Sequence, residues 1–232
     1  MLYNVVVTLK AMSVHEGVVQ FGYTLTESTP PFTTGAGFAE LQGWRSILHR
    51  LSLLGQSDDA YEGFAYGNLS MRSPAMGASF LISATQTSGL AHTVQSDWVL
   101  ISRCDLATFQ VAAVGMKPPS SESVTHAMVY SADSNIACVL HVHNHDIWSH
   151  AAALGLPSTG LTTPYGSPDL AMEVSRLLRE HPVRPLVFTT PGHEDGVFAC
   201  GVDLATTASA LISLLAASRA FRENESIMRM GS

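Results

Sequence analysis

Apolar and polar positions along this chain change period several times, and the changes mark its elements. Residues 18–28, "VVQFGYTLTES", alternate as a half-buried strand does. The proline and glycine breakers of "TPPFTTGAG" (29–37) predict a loop. From 38 to 54 the apolar positions Leu41, Trp44, Ile47, Leu48, Leu51 and Leu54 recur at helical spacing. "GFAYGNLSMR" and "SFLISAT" predict short strands, and "DWVLISR" with "QVAAVG" predicts a strand pair over 97–115. Residues 120–133 open with capping serines and carry Val124, Ala127, Met128 and Ser131 on one face, which predicts a helix. "NIACVLHVH" (135–143) reads as a buried strand and "DIWSHAAALG" (146–155) as a helix. The fullest helix signature lies at 167–182, with Ser167 as N-cap, Pro168 and Asp169 in the first turn and Pro182 as a stop. "PLVFTT" and "GVFACG" predict strands, and a last helix is expected from about Leu204 to Arg222. Strands alternating with helices are the pattern of a layered α/β domain.

Composition narrows this picture. The 232 residues are 46% hydrophobic and 13% charged, enough apolar material for one large core. No linker composition, repeat or low-complexity tract divides the chain, so a single domain over 1–232 is expected. The formal net charge is -7, and the 12 Lys+Arg do not cluster. Nucleic acid and anionic membrane surfaces are therefore disfavoured as main partners. Apolar runs stop short of the roughly 18–20 residues a membrane helix needs, and the Ala/Leu-rich stretch near 204–220 is broken by Thr, Ser and Arg219. Cys104, Cys138 and Cys200 have no metal-like spacing, and the last two sit in apolar runs as buried thiols would. With no signal-like pattern at the start, a reducing cytoplasm is the expected location.

Candidate chemistry gathers at "VLHVHNHDIW" (139–148). Side chains at i and i+2 of a strand share a face, so His141 and His143 present two imidazoles side by side. Such a pair supplies two ligands to a divalent ion at roughly 2.0–2.1 Å; two satisfied structural histidines would look the same in sequence. His145 follows the strand end and is placed outside this set. "TTPGHEDGV" (189–197) offers a third imidazole, His193, in a turn flanked by Gly192 and Gly196. Three protein ligands and an open position characterise a catalytic zinc site, while a lone turn histidine is the plainer alternative.

Two further stretches could serve a substrate. If Ser120 or Ser121 caps the helix at 120–133, Glu122 lies in its first turn, where the dipole favours a carboxylate. Free amides and hydroxyls there can also hold an anionic group. His126, four residues on, reads as an ordinary helix histidine. "YGNLSMR" (66–72) adds a Gly-Asn turn and Ser70, a weak anion-binding signal by itself.

Taken in order, Gly67-Asn68-x-Ser70-x-Arg72, Ser120-Ser121-Glu122 with His126, His141-x-His143 and His193 in its Gly turn resemble the class II aldolase/adducin family over residues 38–215, with 1–37 as an N-terminal extension. The resemblance implies a three-layer α/β/α sandwich with a central, largely antiparallel sheet. It implies one divalent metal ion per subunit, zinc first and manganese, cobalt or iron as alternatives, held by His141, His143 and His193. Glu122 matches the catalytic acid/base, and Asn68, Ser120 and Ser121 match positions that hold a substrate phosphate. Ser70 and Gln86 join them as substrate-binding candidates. The implied activity is a metal-dependent lyase of aldolase type, cleaving a hydroxy-ketone or sugar-derived substrate through a metal-stabilised enediolate. A sugar-phosphate 4-epimerase or dehydratase and a non-catalytic adducin-like binding protein are the alternatives. The implied assembly is a homotetramer with active sites at subunit interfaces and a small-molecule substrate.

The chain also departs from the family pattern. Gln86 stands in "FLISATQTSGL" where the family often has glycine, and Ser88-Gly89 come later. The family's aldolase tyrosine has its nearest positional match in Thr162, with Tyr165 close by. His193 is followed by Glu194 and Asp195 rather than glycine, so either carboxylate is a candidate to orient His193.

Overall fold

The structure, a computed structural model, describes residues 4–7, 19–72, 74–161, 163 and 167–230. The alternating segments form strands β1 (Asn4–Val7), β2 (Gly22–Glu27), β3 (Gly55–Gln56), β4 (Ala65–Tyr66), β5 (Asn68–Met71), β6 (Phe80–Ser83), β7 (Trp98–Asp105), β8 (Gln110–Gly115), β9 (Cys138–His143), β10 (Leu186–Thr189) and β11 (Gly196–Gly201). Nine of them make one sheet in the order β1-β2-β8-β7-β6-β5-β9-β11-β10, while β3 and β4 pair separately. All neighbours in the large sheet are antiparallel except β2 and β8, which run parallel. The sheet is thus largely antiparallel, as expected. The N-terminal extension is part of it, since β1 and β2 form its edge.

Helices cover both faces. On one side α2 (Ser123–Ala132) and α4 (Pro168–Glu180) pack on the sheet around Val124, Met128, Val174 and Leu177. On the other, α1 (Ala36–Arg50), α3 (His145–Ser149) and α5 (Leu204–Met230) enclose a second core containing Leu41, Leu48, Ile147, Ala208 and Leu211. The α/β/α layering follows from strand alternation. In β9, Val139 joins the first core while Cys138, Leu140 and Val142 join the second.

Several element boundaries differ from expectation, each for a local reason. The first helix stops at Arg50 because Ser52 adopts a left-handed conformation (φ 55) and the Leu53 N–H turns back to the Leu48 carbonyl. The segment 146–155 is a short helix followed by turns, not one helix. Asn144 caps it by accepting from the Ile147 N–H at 2.9 Å. The helix expected over 120–133 begins only at Ser123, because the Ser123 N–H and hydroxyl both bond back to the Ser120 carbonyl. The last helix runs on to Met230, and from Leu204 to Arg229 it is long and apolar enough to cross a membrane. Its first half nevertheless belongs to the second core, where Leu204, Ala208, Leu211 and Leu215 are buried.

That division of α5 predicts unequal sensitivity. Leu211→Ala should cost about 2–5 kcal/mol through a cavity. Ile227→Ala, on the exposed half, should change stability by less than about 0.5 kcal/mol. Urea denaturation measures both, and equal effects would contradict the packing.

Candidate metal centre

Strand β9 carries His141 and His143 on the face of Val139, toward α2 and α4. Their rings stack at 4.9 Å between centroids, 9° from parallel. His193 stands nearly edge-on to both, at 5.1 and 4.7 Å. All three are buried, and one ligand atom from each lies within 4.8 Å of the others. Two segments far apart in sequence make this convergence. The β9 pair enters through the register, in which His141 faces Asn68 on one side and Phe198 on the other. His193 comes from the tight turn between β10 and β11, where its N–H bonds to the Thr190 carbonyl at 2.8 Å and its own carbonyl accepts from the Gly196 N–H at 3.0 Å. The flanking glycines are steric necessities: a Cβ at Gly192 would run into the Thr163 carbonyl, and one at Gly196 into the Thr190 hydroxyl.

Glu122 completes the group. It is the N-cap residue of α2 rather than a first-turn residue, and its N–H donates to the Ser120 hydroxyl at 3.3 Å. Its buried carboxylate lies 3.6 Å from His141 Nδ1 and 3.8 Å from His193 Nδ1. Burial first, and the neighbouring imidazoles second, push His141 and His143 well below the ordinary histidine range. Both are therefore neutral, the form that binds metal. Neither ring nitrogen of His141 has a hydrogen-bond partner among the described residues, although buried polar atoms nearly always do. A divalent cation fits this donor set: three neutral imidazoles converge on one point, and one of them lacks any other use for its nitrogens.

The other expected residues fall into two groups. Asn68, Gln86, Ser120 and Ser121 line one small polar pocket, together with Ser88, which sequence reasoning did not select. Ser70 does not belong to it. It faces α2, where its hydroxyl lies 2.7 Å from both His126 Nδ1 and the Tyr130 hydroxyl, in a fully buried network. His126 is thus a partner of Ser70 and not an ordinary helix histidine. The two carboxylates after His193 have these surroundings. Glu194 is exposed. Asp195, in a left-handed conformation (φ 60), accepts from the Tyr61 hydroxyl at 2.8 Å and lies 2.9 Å from His145 Nδ1. His145 itself is exposed and outside the cluster, in the first turn of α3. Thr162 and Tyr165 lie outside the described residues. Two residues with no sequence signal also wall the centre: Tyr61 meets His143 edge-on at 4.6 Å, and Tyr66 lies 5.5 Å from the same ring.

Comparison with known proteins agrees with this geometry. Residues 57–220 match the model of the class II aldolase and adducin N-terminal domain, and the chain belongs to that family. No curated protein matches the sequence. Among solved structures, an L-fuculose 1-phosphate aldolase superposes with a TM-score of 0.62 at 18% identity, over 84% of this chain and 88% of that one. The L-fuculose-1-phosphate aldolase of Thermus thermophilus gives 0.58 at 20% identity, over 84% and 96%. A sugar-phosphate aldolase from Thermotoga maritima gives 0.58 at 16%, over 81% and 94%. These likenesses establish the shared fold.

Buried histidines make stability depend on pH. Burial holds His126 down at about 3 in the folded state, whereas an unfolded histidine titrates near 6.5. Between these values the unfolded chain binds the extra proton, so stability is full above about 6.5 and falls as pH drops. One such histidine contributes about 1.4 kcal/mol per pH unit in that window. The metal-free protein should therefore melt at lower temperature at pH 5.5 than at 7.5. His126→Asn, which cannot titrate, should flatten the slope by about that amount; an unchanged slope would show that His126 is protonated in the fold.

Proposed function

We propose that this protein is a divalent-metal-dependent lyase of aldol type, acting on a hydroxy-ketone or sugar-derived substrate. The observation that carries the reading is the convergence of three buried imidazoles with one buried carboxylate, Glu122, at their edge. His141, His143 and His193 would hold the ion. When bound, it supplies Lewis-acid polarisation of a carbonyl and its neighbouring hydroxyl, lowering the cost of the negative charge that develops when a bond to the adjacent carbon breaks.

The chain's own groups do the rest. Glu122 is the proton carrier: its carboxylate takes a proton from the substrate and returns it to the carbon left behind, a role typically worth ~10²–10⁴-fold. Its backbone is fixed by Ser120 and by the start of α2, so the carboxylate does not depend on a mobile side-chain tether alone. Phe198, 4.2 Å from the His141 ring between centroids, and Tyr61 beside His143 keep water from the imidazoles. Asn68, Ser120 and Ser121 lie where they can take the far end of the substrate. Retention of all four polar groups favours catalysis over an adducin-like binding role. Assembly as a homotetramer and residence in the cytoplasm belong to the same proposal; the three cysteines, none in a disulfide, support a reducing compartment.

Elemental analysis and turnover of hydroxy-ketones test this together. His141→Ala should lose bound metal and activity. Glu122→Gln should keep the metal and lose at least ~10²-fold in kcat. Purified protein without any first-row divalent ion, or full activity in Glu122→Gln, would overturn the assignment.

A further inference from the structure

The polar pocket adjoins the histidine site through strand register and through the chain: Asn68 is paired with His141 across the sheet, and Ser121 precedes Glu122. Its wall is built of hydroxyls, carboxamides and backbone, with no lysine or arginine among the described residues. Arg45, which holds the loop 87–90, donates instead to the carbonyls of Thr87, Ser88 and Leu90 at 2.8, 3.3 and 2.7 Å. The carboxylates of Glu194 and Asp195 follow His193 directly, and the chain as a whole carries a formal charge of -7.

Gln86 makes the pocket smaller still. It adopts a left-handed backbone conformation (φ 57), strained for a residue with a Cβ. Its Oε1 accepts from the Ala65 N–H at 2.9 Å, which removes a backbone donor that an anion could have used. The space remaining is about 10 Å³, near what a single water requires and far below what a phosphoryl group with its oxygens fills. Asn68 Oδ1 is buried without a hydrogen-bond partner among the described residues. As placed, that oxygen accepts from a hydroxyl and not from a phosphate dianion, whereas the turned carboxamide donates to either.

We propose that Gln86 is a specificity-determining residue that closes this pocket to phosphate, so that the substrate is an unphosphorylated, hydroxyl-bearing ketone. Asn68 and Ser120 then receive neutral hydroxyls at the end remote from the histidines. The inference rests on the lyase reading for the word substrate, but the exclusion of phosphate is a property of the pocket alone.

Two measurements on the metal-loaded protein separate these. Calorimetric titration with inorganic phosphate should show no saturable binding to the wild type. Gln86→Gly, which relieves the left-handed strain and opens the wall, should bind phosphate at least ~10-fold more tightly, a difference of about 1.4 kcal/mol. Gln86→Asn, one methylene shorter and tolerant of that conformation, is the second variant should the first fail to fold, and it should show a gain in the same direction. In turnover with an aldehyde acceptor, the wild type should favour dihydroxyacetone over dihydroxyacetone phosphate by at least ~10-fold in kcat/KM, and Gln86→Gly should narrow or reverse that ratio. Phosphate binding by the wild type as tight as by the variants, or a wild-type preference for the phosphorylated ketone, overturns the proposal. Absence of turnover with both ketones overturns the lyase reading only, and the titration still decides the closure of the pocket.

Discussion

Burial of three imidazoles and a carboxylate in one apolar setting is the constraint around which the rest of this molecule is arranged. Desolvating an ionised group costs several kcal/mol even after relaxation, and the fold meets that cost by keeping His141 and His143 neutral. Neutrality in turn demands walls of low polarity. Phe198 supplies one beside His141, and it is itself stacked on Phe188 at 5.4 Å in the core. Tyr61 and Tyr66 supply the other beside His143. The centre is therefore continuous with the hydrophobic core and not a cleft added to its surface. A cation in that setting would interact far more strongly with its ligands than it could in water.

Much of this was legible because it depends on short-range rules. The period of a strand places His141 and His143 on one face whatever the tertiary fold. The glycines around His193 announced a turn too tight for side chains, and both prove to be in close approach with Thr163 or Thr190. Asn68, Ser120 and Ser121 reached the same pocket because each is tied by chain or register to a residue of the centre. The misplacements arise where long-range packing decides. Ser70 shares a strand face with Asn68, yet α2 lies over it and engages it through His126 and Tyr130. No local pattern reveals which of two like-facing residues a helix will cover. Tyr61 and Tyr66 carry no motif, and their contact with His143 exists only once β4 and β9 are assembled.

Asp195 shows how a single backbone angle redirects a side chain. Two residues after His193 in sequence, it would be expected to support that ring. Its left-handed conformation instead carries the carboxylate to Tyr61 and His145, while its carbonyl accepts from the Asn144 N–H at 2.9 Å. The residue thereby ties the His193 turn to the end of β9 and to the loop bearing Tyr61. The first two are the segments whose relative position sets the distance between His193 and the β9 imidazoles. Its contribution is to hold the frame, and the frame holds the rings.

Reaction and recognition are consequently separable in this architecture. The polar groups proposed for chemistry come from β9, the β10–β11 turn and the start of α2. The pocket shares only the segment leading into α2 with them and draws its remaining wall from β4, the start of β5 and the loop after β6. Gln86 lies on that loop, with its strain absorbed locally and its carboxamide bonded to Ala65 rather than to any member of the histidine cluster. A change at Gln86 therefore alters what the pocket accepts without moving the imidazoles or Glu122. A fold that anchors its polar chemistry in a buried strand, and its recognition in a separate loop, can change substrate by a single residue while the costly buried centre stays intact.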